Sequence, residues 1–84
     1  MRAGPLRVRF VAGPDLRVAY AVSRRAGNAV TRNRIRRRLR AAVDVGASAL
    51  PTGAYLIAAD VDALTIEFSD LCDAVAEIAH RVSR

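Results

Sequence analysis

The sequence predicts an α+β domain in which a small sheet of three to four strands packs with an arginine-rich helix and a C-terminal helix. Three observations carry this. Residues 6–23 alternate apolar and polar side chains with a period of two, residues 28–43 and 68–82 repeat apolar side chains at helical spacing, and the apolar run AYLIAA stands between those helices at 54–59. With 84 residues, 52% of them hydrophobic and 26% charged, the chain has the make-up of one folded domain, 1–84, rather than a disordered tail.

The segment PLRVRFVA sets Leu6, Val8 and Phe10 against Arg7, Arg9 and Val11, as a strand with one buried and one wetter face requires. Gly13, Pro14 and Asp15 supply a turn, after which LRVAYAVS places Leu16, Val18, Tyr20 and Val22 on one side. An antiparallel hairpin over 6–23 is the simplest expectation. Gly27 then offers a backbone free to take positive φ, and Asn28 is suited to cap a helix. On a helix from Asn28 to Val43, Thr31, Ile35, Leu39, Ala42 and Val43 fall in one sector, and Asn33, Arg34, Arg36, Arg37 and Arg40 fall opposite. Arg32 and Arg38 flank the apolar seam. VGASALPTG reads as a loop, and AYLIAA as a strand for the middle of a sheet. Thr65 is expected to cap a last helix that turns Phe68, Leu71, Val75, Ile78 and Val82 inward and leaves Glu67, Asp70, Asp73 and Glu77 wet.

Charge is unevenly spread along the chain. Residues 1–44 hold twelve arginines against Asp15 and Asp44, whereas residues 45–84 hold two arginines against six acids. Every basic residue is Arg. Guanidinium groups suit planar, two-pronged contacts with phosphate and stacking on bases, although a GC-rich genome gives the same bias without selection for binding. Six arginines crowd Arg32–Arg40 with no acid interleaved among them, so they repel one another unless a polyanion neutralises them. Nucleic acid is the first reading, ahead of an acidic protein, a membrane surface or a merely solvated face. The membrane reading suffers because the apolar sector of that helix holds neither Trp nor Phe and is needed for the core.

Single Cys72 and single His80 exclude an internal disulfide and a Cys/His metal site. No apolar run approaches the roughly 20 residues that span a bilayer, and a cytoplasmic, membrane-free location is expected. One histidine, the loop acids Asp60 and Asp62 and no lysine make no convincing catalytic constellation, metal centre or small-molecule pocket, so no side chain is assigned as catalytic. Asp60 and Asp62 read as solvated loop acids in preference to holders of a hydrated cation.

The order of residues in SRRAGNAVTRNRIRRRLR, Ser23–Arg40, closely resembles the signature segment of the bacterial ribonuclease P protein component. The resemblance runs through Ser23, Arg24, Arg25, Gly27, Asn28, Ala29, Val30, Arg32, Asn33, Arg34, Arg37 and Arg40. It implies a ribonuclease P protein-like fold in which the basic helix sits in a left-handed β-α-β crossover, contrary to the usual right-handed preference. It also implies partners: a catalytic RNA that cleaves the 5′ leader from precursor tRNA with Mg2+ bound mainly by that RNA, and the precursor tRNA itself. On this resemblance Arg32, Asn33, Arg34, Arg36, Arg37 and Arg40 contact the RNA subunit. Arg24, Arg25 and Asn28 lie near the junction of RNA, leader and metal. Phe10 falls where the family carries a leader-facing aromatic on the first strand, and an ordinary core position is the competing reading. Two departures stand out: the chain begins almost directly at the first strand, without the amphipathic helix that usually opens the family, and Asp60 and Asp62 follow the apolar strand where a basic residue is usual. A structured-RNA-binding module without enzymatic role, ribosome-associated or other, that has lost leader binding is the alternative function.

Overall fold

The computed structural model describes residues 1–83. Its elements are β1 (Arg2–Ala3), β2 (Leu6–Ala12), β3 (Leu16–Val22), α1 (Ala29–Gly46), β4 (Gly53–Ala59), α2 (Asp62–Thr65) and α3 (Phe68–Val82). The strands form one mixed sheet in the order β1-β2-β4-β3, with β4 antiparallel to β2 and parallel to β3. Strand β3, helix α1 and strand β4 therefore make a β-α-β unit between neighbouring parallel strands.

The expected hairpin is not formed, and the reason is β4. Strands β2 and β3 do run antiparallel, but β4 is slotted between them, so that Gly53 is level with both Ala12 and Leu16. Tyr55, Ile57 and Ala59 of β4 are buried, and the most apolar strand takes the centre, where both of its edges are hydrogen-bonded. At about 4.8 Å per strand, crossing over β4 requires about 10 Å, which the link Gly13-Pro14-Asp15 can span. The mouth of this split hairpin is tight. Gly53 has φ +148°, and a Cβ there would stand 2.5 Å from the Val11 carbonyl oxygen and 2.6 Å from the Phe10 ring, so only glycine threads it.

All helices lie on one face of the sheet. Leu6 and Val8 of β2, the buried β4 residues, Ile35, Leu39, Ala42 and Val43 of α1, and Leu71, Val75 and Ile78 of α3 merge into one core. Helix α1 packs chiefly on β3 and α3, and α3 packs toward β1 and β2. The predicted inward stripe of α1 is observed, with Thr31 half-buried at its end. Two expectations for the C-terminal part change. Thr65 does not cap the last helix but ends α2, its hydroxyl donating to the Asp62 carbonyl at 3.3 Å; α3 starts at Phe68, with Glu67 at its N-cap. Phe68 consequently sits on the first turn at the rim, 40% exposed, rather than in the core.

Candidate nucleic-acid interface

The N-terminus of α1 is built by the Ser23–Asn28 corner. Ser23 Oγ accepts from the Arg25 amide at 3.1 Å, closing a 3₁₀ turn at Arg24–Ala26. Gly27 follows at φ +133°, where a Cβ would press on Thr31 at 3.2 Å. Asn28 Oδ1 then accepts from the Thr31 amide at 3.0 Å, the expected cap, so its side-chain oxygen is engaged within the fold. The corner leaves Arg24 and Arg25 exposed at the end of β3, beside the first turn of α1.

Along α1 the arginines divide into an outer ridge and two flanks. Arg34, Arg37 and Asn33 are exposed on the outward side. Arg32, Arg36 and Arg40 stand four residues apart, hence about 6 Å from one to the next along one flank. That flank faces β3, because the Arg40 guanidinium lies 5.9 Å from the centre of the Tyr20 ring, a cation–π distance. Burial and the Asp44 carboxylate raise the Tyr20 phenol above its ordinary pKa, and Arg40 offsets part of this, so the ring stays neutral at physiological pH. Arg36 donates to Asn33 Oδ1 at 3.0 Å, which aligns those two side chains. Arg32 is half-buried, and its Nε lacks a hydrogen-bond partner among the described residues.

Arg38 leaves the ridge altogether. Its two terminal nitrogens donate to the carbonyls of Leu64 at 2.5 Å and Ile66 at 2.7 Å. Helix α2 is one turn long, and its last carbonyls have no intrahelical donors; Arg38 supplies one for Leu64 and another for Ile66 just beyond the helix, and so ties the α2–α3 connection to α1. Sequence spacing marked Arg38 as a flank residue without revealing this job, since its partners lie 26 and 28 residues away. Arg38→Met is expected to lower stability by about 2 kcal/mol in urea denaturation while leaving the salt dependence of RNA binding as it was.

Among the described residues, the other arginines of α1 form no ion pair with a carboxylate. Among the described residues the one ion pair is Arg81 with Glu77 at 3.1 Å, on α3. The acids of α3 are exposed on a different helix, away from the ridge. Asp60 forms its own turn, Oδ1 accepting from the Val61 amide at 2.9 Å, and Asp62 opens α2. Among the described residues no three of His, Cys, Asp and Glu gather where a metal ion could be held.

The sheet face opposite the helices is left uncovered by the described residues. Arg7, Arg9 and Val11 of β2, Ala54 and Leu56 of β4, and Arg17, Ala19 and Ala21 of β3 are exposed on it. A depression of about 670 Å³ opens here, lined among others by Met1, Arg2, Arg7, Arg9 and Leu56. Phe10 is on the other face: its ring centre is 4.7 Å from that of Tyr55, and it packs against the core. The arginines of this open face were not singled out from sequence, although the alternation of Arg7 and Arg9 with Leu6 and Val8 was the signal for them.

The fold and surface together define a small basic α+β domain whose cationic helix and open, arginine-bearing sheet suit a polyanion. The chain belongs to the ribonuclease P protein family, whose sequence model, described as Ribonuclease P, matches residues 3–83. It is 40% identical over 73 residues to the ribonuclease P protein component of Brucella suis, a match covering 84% of this chain and 50% of that protein. It is also 39% identical over 80 residues to that of Coprothermobacter proteolyticus, covering 95% and 67%. The chain thus spans about half the length of the Brucella relative. A solved structure of the Staphylococcus aureus RNase P protein superposes with a TM-score of 0.71 at 22% identity, over 94% of this chain and 74% of that one, and shares its fold. No helix of the described residues is long and apolar enough to cross a membrane.

Proposed function

We propose that this chain is the protein subunit of ribonuclease P, supporting 5′ maturation of tRNA by holding the catalytic RNA and the leader of precursor tRNA. The observation that carries this reading is the outer side of α1: Arg34 and Arg37 on its ridge and Arg40 on the adjoining flank are exposed, and no carboxylate of the described residues pairs with them. A fixed helix presenting unmatched guanidinium groups gains from phosphate what it loses to self-repulsion, through charge-assisted hydrogen bonds and release of counterions. Arg32, Asn33, Arg34, Arg36, Arg37 and Arg40 are assigned to the RNA subunit. Arg24 and Arg25 stand beside the capped helix start, with Asn28 setting the angle at which α1 leaves β3. The uncovered sheet face, with Arg7, Arg9 and Arg17, receives the single-stranded leader, and Phe10 supports that face from beneath.

Cleavage is carried by the RNA, and Mg2+ is bound there. The chain's own contribution is electrostatic and positional: it lowers the cost of bringing two polyanions together and aligns one strand over the sheet. Reconstitution with the organism's catalytic RNA tests this. At low Mg2+, adding the protein is expected to stimulate cleavage of precursor tRNA. Absence of stimulation would instead favour an RNA-binding module with no part in cleavage.

A further inference from the structure

Strand β3 forms an edge of the sheet and has no strand beyond it among the described residues. The opposite edge is closed as far as Val8, whose amide and carbonyl both meet Met1 next to the β1 pairing. Along β3, the Asp15 carbonyl accepts from the Gly53 amide at 3.0 Å and the Ser23 amide donates to the Ala59 carbonyl at 3.2 Å. Backbone groups of alternate residues point to the same side of a strand. Arg17, Ala19 and Ala21 therefore turn theirs to β4, and Leu16, Val18, Tyr20 and Val22 turn theirs outward. Those outward groups have no backbone partner among the described residues, and no residue of β3 is buried. The strand also lacks the proline or bulge that commonly blunts such an edge.

The border of this edge is charged, and the charge is graded. Arg40 lies over the Tyr20 ring from the helix side. Helix α1 runs back antiparallel to β3 on its way to β4, so Arg36 and Arg32 follow on the same flank toward Val22, with Arg24 and Arg25 just past the strand end. Asp44, one turn beyond Arg40, and Asp15 lie toward the Leu16 end. A second copy pairing along this edge would bring the same cationic flank against itself. RNA offers phosphate acceptors for the free amides but few donors for the free carbonyls, whereas an extended polypeptide offers both at strand spacing.

We propose that the β3 edge docks an extended acidic segment of a partner protein, which adds a strand to the sheet and sets carboxylates against Arg40 and Arg36. Side chains on one face of the added strand recur about every 6.6 Å, close to the rise of about 6 Å from Arg36 to Arg40, so acids at alternate positions suit the flank. The acidic end of the segment lies along Tyr20–Val22, away from Asp15 and Asp44. The inference goes beyond the RNA reading and does not depend on it.

The test is fluorescence anisotropy with the full chain and a labelled peptide that alternates Glu with Val over the length of β3. Two further peptides carry N-methyl groups on alternate amides, one on the Glu residues and one on the Val residues, so that each loses the donors along one edge and keeps its charge. One of the two is expected to bind about tenfold or more weakly and the other nearly as well as the parent. Replacing Glu by Gln in the peptide should also cost about tenfold at low salt and little at high salt. Val18→Pro removes an outward donor that β4 does not use, and should weaken the parent peptide about tenfold while the variant still melts cooperatively; if that variant does not fold, the N-methylated pair decides. Equal binding of both N-methylated peptides overturns the inference, since charge alone would then hold the segment. Equal binding of the Gln peptide overturns its acidic character. A dimer of the chain that Val18→Pro dissolves, or binding of a short single-stranded RNA that Val18→Pro weakens, would give the edge to another occupant and overturn it as well.

Discussion

Replacing Arg34, Arg37 and Arg40 with alanine is expected to flatten the dependence of log affinity on log salt for structured RNA by roughly 2 to 3, about 0.9 for each phosphate contact removed. Affinity should fall by orders of magnitude at low salt and by less at high salt, where counterion release contributes little. The fold should hardly respond. Arg34 and Arg37 are exposed and have no partner among the described residues, and Arg40 contributes only its position over the Tyr20 ring, worth about 0.5–1 kcal/mol at an exposed site. Relief of repulsion along α1 works in the opposite direction. The pattern to look for is a large electrostatic loss without unfolding, measured by RNA titration at several salt concentrations and by thermal melting of the same protein. An unchanged slope would place the RNA on another surface.

Phe10→Ala is expected to destabilise the domain by about 2–3 kcal/mol in urea denaturation, below the range for a fully buried ring because Phe10 is partly exposed. The ring stacks against Tyr55, whose hydroxyl donates to the Pro51 carbonyl at 2.6 Å, and it closes on Gly53 at the mouth of the split hairpin. Its loss therefore loosens the point where β4 enters between β2 and β3. Under conditions where the variant is folded, leader-bearing and leaderless tRNA should be affected equally. A selective loss of leader-bearing substrate with stability intact would mean that the ring reaches the leader after all.

Much of the fold was legible because it is written in local periodicity. The inward stripe of α1, the Asn28 cap and the α3 core residues Leu71, Val75 and Ile78 follow from spacing alone. What escaped is non-local. Nothing in residues 6–23 announces that a strand from residue 53 onward will part them; that outcome depends on how the most apolar strand competes for the sheet centre, and on a glycine whose need appears only in the assembled mouth. Phe68 was placed inward because its spacing fits the stripe, yet a residue on the first turn has little packed above it.

The candidate site divides in the same way. The concentration of arginines at 32–40 was plain in the sequence, and so was the absence of acids among them. That Arg38 would spend its guanidinium on the Leu64 and Ile66 carbonyls was not, because its partners lie on a turn far along the chain. The open face was half-readable: alternation separated Arg7 and Arg9 from Leu6 and Val8, but which face the helices would cover depends on the crossover from β3 through α1 to β4. Placing the helices on the Phe10 side turns that ring toward the core and leaves Arg7, Arg9 and Arg17 on the open side.

The central claim is that the unmatched cationic ridge of α1 is made to meet a large folded RNA. Isolating the protein from its own cells with its bound nucleic acid, and sequencing what accompanies it, tests this most directly. The account predicts one long structured RNA, recovered in amounts that drop when Arg34, Arg37 and Arg40 are replaced. Recovery of an unselected mixture of short fragments, or of the same RNA regardless of those substitutions, would contradict it.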